Sequence, residues 1–206
     1  MATGNHSITG QSLRGGIVWN KPRSAAGLLS NLTVIIRLAT MDDREAIRAL
    51  IAQSARELSR KHYNDAQIEA AIARVFGVDS DLIEDGTYFV AEVPNALIGC
   101  GGWSRRRKLF GGDQYSSDKG YLDPETEPAA IRAFFIHPAH ARKGIARSIF
   151  SRCETEAIAH GFRALELMAT LPGIAFYESC GFRKIGNYDL DLAGIKLELV
   201  PMRKEF

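Results

Sequence analysis

Apolar residues recur with two different periods along the chain, and the switches between them set out its elements. Val34, Ile35 and Ile36 are β-branched and predict a strand over residues 32–38. From Thr40 the period lengthens. Ile47, Leu50, Ile51 and Leu58 share one helical face, and Asp43 follows Thr40 as a capping-box partner. Asn64 with Gln67 repeats that signature for a second helix, which buries Ile68, Ile72 and Val75 and stops at Gly77. Residues 87–92 and 96–104 predict a hairpin turning at Val93-Pro94-Asn95. A polar connection with Gly111-Gly112 spans 105–128, a length usually reserved for functional or mobile loops.

The second half of the chain is more regular. Residues 130–136 form a strongly apolar strand ended by His137-Pro138. A long helix spans about 144–160, with Ile145, Ile149, Cys153 and Ala157 inward and Gly161 as its stop. A short strand over 165–169, a short helix over 174–180 closed by Gly181, and strands over 182–187 and 195–202 complete the pattern. The last strand alternates, with Ile195, Leu197 and Leu199 inward and Lys196 and Glu198 outward. The whole predicts an α+β domain over 32–206 with one central sheet. The Gly- and Ser-rich stretch 1–31 has no sustained period and is expected to be a flexible N-terminal tail.

Composition narrows the function classes. A formal net charge of +2 is too small for a nucleic-acid footprint. No stretch approaches the roughly 18 apolar residues of a membrane span, so no membrane partner is expected. Cys100, Cys153 and Cys180 are odd in number and widely spaced, against a disulfide framework or a zinc site and in keeping with a reducing cytoplasm. Arg105-Arg106-Arg107-Lys108 reads as a solvated basic loop. Gly99 and Gly101-Gly102 beside Trp103 point to a bulge or a close backbone approach.

The chemistry concentrates in 130–186. An apolar strand runs into the turn Arg142-Lys143-Gly144-Ile145-Ala146, where a helix begins. The first amides of a helix lack internal partners and, with the helix dipole, suit a phosphate or pyrophosphate. Gly144 removes a side chain that would block close approach, Ala146 keeps the first turn small, and Arg142, Lys143 and Arg147 add positive charge. The turn matches neither the Walker loop nor the Rossmann fingerprint.

His137-Pro138, this turn, the helix ending at Gly161-Phe162, and Phe176-Tyr177-Glu178-Ser179-Cys180-Gly181-Phe182 follow in an order that resembles the GNAT superfamily of acyl-CoA-dependent N-acetyltransferases. The resemblance implies a mixed, mostly antiparallel twisted sheet flanked by helices, with its central strands splayed. Acetyl-CoA would be the cosubstrate, with no metal. Its pantetheine arm would pair with backbone near Phe135, Ile136 and His137, its pyrophosphate would sit on the amides of 142–147, and Thr170 would offer a hydroxyl. Many relatives pair as dimers, which leaves a homodimer among the expected assemblies.

The sequence departs from the family at two of these places. Ala141 stands where a Gln or Arg is usual, and Thr170 where an asparagine is common.

Tyr177 matches the tyrosine that many of these enzymes place beside the cofactor sulfur, which makes it the candidate general acid. A phenol of pKa about 10 can donate to a thiolate of pKa about 8.5. The base is less marked, because 130–136 carries only Arg132 as an ionisable residue. Glu127 is the leading candidate, followed by Glu92, Asp123 and Glu125, while His137 is expected to cap the turn and ordered water could serve instead. The expected function is direct acetyl transfer to the primary amine of a small-molecule or peptide acceptor. The alternative is a non-catalytic acyl-CoA sensor or regulatory module. Trp103 is expected either in the acceptor pocket or in the core.

Overall fold

The computed structural model describes residues 17–18, 33–115 and 120–206. Apart from Ile17 and Val18, the expected tail lies outside the described residues. In chain order the elements are β1 (Ile17–Val18), β2 (Ile35–Leu38), α1 (Arg44–Leu58), α2 (Asp65–Arg74), α3 (Ser80–Glu84), β3 (Tyr88–Val93) and β4 (Ala96–Ser104). They continue with β5 (Ala129–Ile136), α4 (Ile145–Ala159), β6 (Ala164–Thr170), α5 (Ile174–Ser179), β7 (Arg183–Lys184), β8 (Tyr188–Asp191) and β9 (Lys196–Glu205).

The described strands make one sheet in the order β1-β2-β3-β4-β5-β6-β9-β7, with β8 also pairing β9. Every pair is antiparallel except β5 with β6. This is the mixed α+β architecture that the two periods predict. The predicted caps are present: the Thr40 amide donates to Asp43 Oδ2 at 2.8 Å, and Asn64 and Gln67 exchange bonds at 2.9 and 3.0 Å.

Three apolar clusters hold the layers together. Ile145, Ile149, Phe150, Cys153 and Ala157 of α4 pack on one face of the sheet, against Ile98, Trp103, Ile131 and Leu167. Ile47, Leu50 and Ile51 of α1, with Leu82 and Ile83 of α3, cover the other face around Tyr88, Val90 and Cys100. A third cluster seats Ile68 and Ala71 of α2 against Leu190, Leu197 and Leu199. No described helix is long and apolar enough to cross a membrane.

Several sequence expectations need correction. Leu58 ends α1 37% exposed, and the inward place four residues earlier belongs to Ser54, only 4% exposed. Helix α3 is too short to show a period, and the sequence pattern does not predict it. The strand expected over 182–187 is only the two-residue β7, and the polar β8 follows it. The basic run is less solvated than expected: Arg106 bonds Asp81 and Asp85, Arg107 pairs with Glu127, and Lys108 is buried.

Lys108 helps to anchor the long connection. Its Nζ donates to the Gly112 carbonyl at 3.0 Å and stands 3.7 Å from Asp79 Oδ1. Arg132 of β5 pairs with the same carboxylate and donates to Ser104 Oγ at 3.1 Å. All four side chains are buried, so one anion balances two cations out of reach of water. Removing one partner of a buried pair strands the others, at a cost of about 3–5 kcal/mol. Asp79→Ala is therefore expected to lower unfolding stability by about that amount, read from urea denaturation. A loss below about 1 kcal/mol, the range of exposed pairs, would show that the cations find other solvation.

Candidate active site

The parallel pairing of β5 with β6 covers only Ala129 with Leu165 and Ala130 with Glu166. Beyond that point β6 stays paired to β9 as far as Thr170, and β5 stays paired to β4 as far as Ile136. The two central strands therefore part, and the edge of β5 that carries Phe135 and Ile136 has no strand beside it. Facing the opening, Ser54 of α1 accepts from the Ile136 amide at 3.3 Å. Among the described residues this is where a polar chain can meet strand backbone inside the sheet.

The pairing of β5 with β4 is also irregular. Cys100 stands opposite Phe135 and Gly102 opposite Arg132, so Ala133 and Phe134 together face Gly101. Ala133 takes φ +56°, a left-handed conformation that L-residues rarely adopt. A Cβ on Gly101 would stand 2.7 Å from the Phe134 ring. The close approach expected from the glycines is present at Gly101, while the bulge beside it lies in the facing strand β5.

At the end of β5 the chain turns sharply. His137 donates its amide to the Ile98 carbonyl at 2.9 Å, and its Nδ1 accepts from Ala139 N at 3.2 Å. The imidazole caps the turn, as its place before Pro138 suggests. Arg142 (φ +60°) and Gly144 (φ +86°) then reverse the chain into the fifteen-residue α4. Nothing lies within 4 Å of where a Cβ on Gly144 would stand, so the helix start is an open cradle. Arg142, Lys143 and Arg147 are exposed around it, Ala146 is half-buried and Ile145 is buried in the core. Arg147 also reaches across to α5, where its Nη2 donates to Ser179 Oγ at 2.7 Å and to the Ser179 carbonyl at 3.1 Å. The start of α4 is thereby tied to the end of α5.

Helix α5 brings Tyr177 to the same region. Its ring packs at 6.3 Å from Phe134 and 5.7 Å from Phe182. A Cβ on Gly173 would stand 3.3 Å from Tyr177 Cε2 and 3.5 Å from Thr170 Oγ1, which places phenol and hydroxyl residue around one glycine. Burial pushes the Tyr177 phenol above its usual range, so it keeps its proton throughout the neutral range.

Three of the four acidic candidates are engaged elsewhere. Glu127 pairs with Arg107 through both oxygens and accepts the Asp123 amide at 2.8 Å, and these bonds hold its carboxyl below the usual range. Glu92 pairs with Arg37 at 2.8 Å. Asp123 accepts from Glu125 N and Thr126 Oγ1 within its own turn. Trp103 is 1% exposed, donates from Nε1 to Glu156 Oε2 at 2.9 Å and packs against Phe162. It belongs to the core.

Two contributors are not evident from the sequence. Ser54 sits at an inward position of α1, and that lone polar residue in an apolar stripe is the signal that could have found it. Tyr63 donates to the Glu198 carbonyl at 2.6 Å and accepts the Leu171 amide at 2.9 Å, fixing the end of β6. An aromatic between two helices gives no comparable clue.

Known proteins share this fold. The model of the acetyltransferase (GNAT) family matches residues 45–182. Among solved structures, the GCN5-related N-acetyltransferase from Rhodopseudomonas palustris is similar with TM-score 0.62 at 16% identity, covering 88% of this chain and 100% of that one. The PaiA N-acetyltransferase from Thermoplasma acidophilum, in complex with coenzyme A, gives 0.57 at 16% identity over 84% and 99%. The ribosomal-protein-alanine N-acetyltransferase from Brucella melitensis gives 0.56 at 18% identity over 83% and 99%. No curated protein sequence matches significantly. At these identities the structural likenesses speak for the fold, while the family match spans most of the chain. With its parted strands and open helix start, this chain is an acyltransferase and belongs to the acetyltransferase (GNAT) family.

Proposed function

We propose that the protein moves the acetyl group of acetyl-CoA directly to a primary amine. The observation that carries this reading is the cradle at Gly144, which opens a long helix at the free end of a strand with no neighbour on one side. The amides of 142–147 would hold the pyrophosphate, with Arg142 and Lys143 adding charge. The edge at Phe135, Ile136 and His137, which no strand pairs on one side, suits an extended pantetheine amide chain, as a strand edge suits an added strand. The coenzyme A bound to the Thermoplasma relative supports the same cosubstrate. The three cysteines stand free and buried, in keeping with a reducing cytoplasm.

Acetyl transfer forms a bond from nitrogen to the acetyl carbon and breaks the carbon–sulfur bond. The nitrogen sheds a proton and the departing thiolate takes one. Tyr177 is the group we assign to the second event, because its phenol is protonated at neutral pH and can donate to the thiolate. For the first event, Glu127 is a poor choice while Arg107 holds it as a carboxylate. Deprotonating a lysine-like amine at pH 7 costs about 4.6 kcal/mol, whereas an α-amine near pKa 8 costs about 1 kcal/mol. With Glu127 held by Arg107, the reading favours acceptors whose amine is already largely neutral.

Release of CoA thiol across a panel of polyamines, amino acids, aminoglycosides and peptide N-termini tests the activity. Turnover above hydrolysis with at least one acceptor is expected. Acetyl-CoA binding with none would leave an acyl-CoA sensor. Gly144→Glu puts bulk and negative charge in the cradle and is expected to weaken CoA binding beyond about 100-fold, or nearly 3 kcal/mol, by calorimetry on protein with unchanged circular dichroism. Equal affinity would remove the turn from the cofactor site. Tyr177→Phe is expected to lower kcat by about 100-fold, the usual scale for a general acid, with little change in acetyl-CoA affinity. A wild-type rate would take Tyr177 out of the mechanism.

A further inference from the structure

The two faces of β6 are covered unequally. Leu165, Leu167 and Ala169 are buried in the cluster under α4, whereas Glu166, Met168 and Thr170, which alternate with them, are only half-buried. The gap between β5 and β6 is therefore sealed by apolar packing on the α4 face and incompletely covered on the other. Phe76, just beyond α2, spans the gap on that second face. It meets Phe135 of β5 at 5.6 Å and packs against the same cluster as Met168 and Leu171 at the end of β6.

Further rings stand on this face. Phe110 lies 4.9 Å from Tyr115 of its own segment and 6.0 Å from Tyr188 of β8, and each of these rings stays half-buried or exposed. The segment that carries Phe110 and Tyr115 is firmly pinned. The Gly112 amide donates to the Val75 carbonyl and the Asp113 amide to the Val78 carbonyl, each at 2.8 Å. The Asp113 carboxylate accepts from the Ser80 amide and hydroxyl, both at 2.7 Å. Rings held in place yet left open to water suit a ligand that covers them. Charge on the same face is sparse. Leu190, Leu197 and Leu199 face the cluster, so Asp189, Asp191 and Glu198, their strand neighbours, face away. Glu166 is the one carboxylate that β6 turns this way, and Arg203 stands 3.9 Å from it.

We propose that this aromatic face receives the side chain of the acceptor, and that the acceptor is an α-amine beside a bulky apolar or aromatic side chain, as in an amino-acid amide or a peptide N-terminus. This rests on the acetyl-transfer reading above and narrows it. The transfer is unchanged: the bond from nitrogen to the acetyl carbon forms, the carbon–sulfur bond breaks, and CoA leaves as the thiol with the proton that the amine sheds. An α-amine gives up its proton far more readily than a lysine-like amine, which suits a site whose leading base candidate is held by Arg107. The rings and the sparse charge set the body of the acceptor. Polyamines and aminoglycosides carry several cations, for which this face of β6 offers one carboxylate already shared with Arg203.

The test compares phenylalaninamide with glycinamide, which share the α-amine and differ in the side chain, and sets both against spermidine, with release of CoA thiol as the readout. Wild-type protein should show kcat/KM for phenylalaninamide at least about tenfold above that for glycinamide, the lower end of what an apolar pocket discriminates. Spermidine should fall below phenylalaninamide. Tyr188→Ala and Phe110→Ala should each raise KM for phenylalaninamide and bring the ratio of the two amides toward parity. Glycinamide, with no side chain to seat, should lose far less, and affinity for acetyl-CoA should stay as in wild type. Tyr188 is 40% exposed, so its truncation spares the core; should Phe110→Ala fail to fold, Tyr188→Ala decides alone. A wild-type ratio near parity would overturn the proposal, as would a preference for spermidine or variants that lower both amides equally. Protein that binds no acetyl-CoA, or binds it and acetylates nothing in the panel, would overturn the acetyl-transfer reading together with this one.

Discussion

Parallel pairing between β5 and β6 stops after two residues, and the rest of the site is arranged around that interruption. A sheet interior normally satisfies its backbone across every strand, because an unpaired buried amide or carbonyl is costly. Here the edge of β5 must be satisfied by something other than a strand. Ser54 caps one of its amides from α1, and Tyr63 secures the first amide beyond β6. Both hydroxyls come from the helical layer that covers the opening. The gap is thus bounded by side chains that satisfy backbone, while the packed clusters on either face keep the strands from closing.

The two ends of the gap carry different chemistry. At the outer end, Gly144 and Arg142 use left-handed backbone to present a helix start with no side chain over it. At the inner end, Ala133 uses the same backbone region inside a strand, where apolar packing holds it. Arg147 spans from the first turn of α4 to Ser179, so the start of α4 is tied to the end of the helix that carries Tyr177.

Much of this was legible in the sequence. The caps at Thr40 and Asn64, the stops at Gly161 and Gly181 and the inward stripe of α4 are local signals, and each lies where local chemistry places it. The turn before α4 was readable for the same reason. What was not legible depends on contacts distant in sequence. The parting of β5 and β6 leaves no mark on either strand, since both are largely apolar, and was expected only through the family resemblance. Tyr88 and Cys100, which donate to the Ala133 carbonyl, look like ordinary core residues because those contacts span 45 and 33 positions. Glu127 looks available because nothing local announces Arg107, twenty positions away.

The single extra residue in β5 also divides the strand into two reading frames. Before the bulge, odd-numbered Ala129 and Ile131 face α4. After it, even-numbered Phe134 and Ile136 do, while Ala133 and Phe135 turn toward α1 and α3. An apolar run broken only by Arg132 conceals this change of phase, because either face accepts either half. A relative without the extra residue would correspond to this chain, position by position, on only one side of Ala133. Beyond it, equivalent side chains would be offset by one, and a residue inherited in sequence would point into the wrong layer.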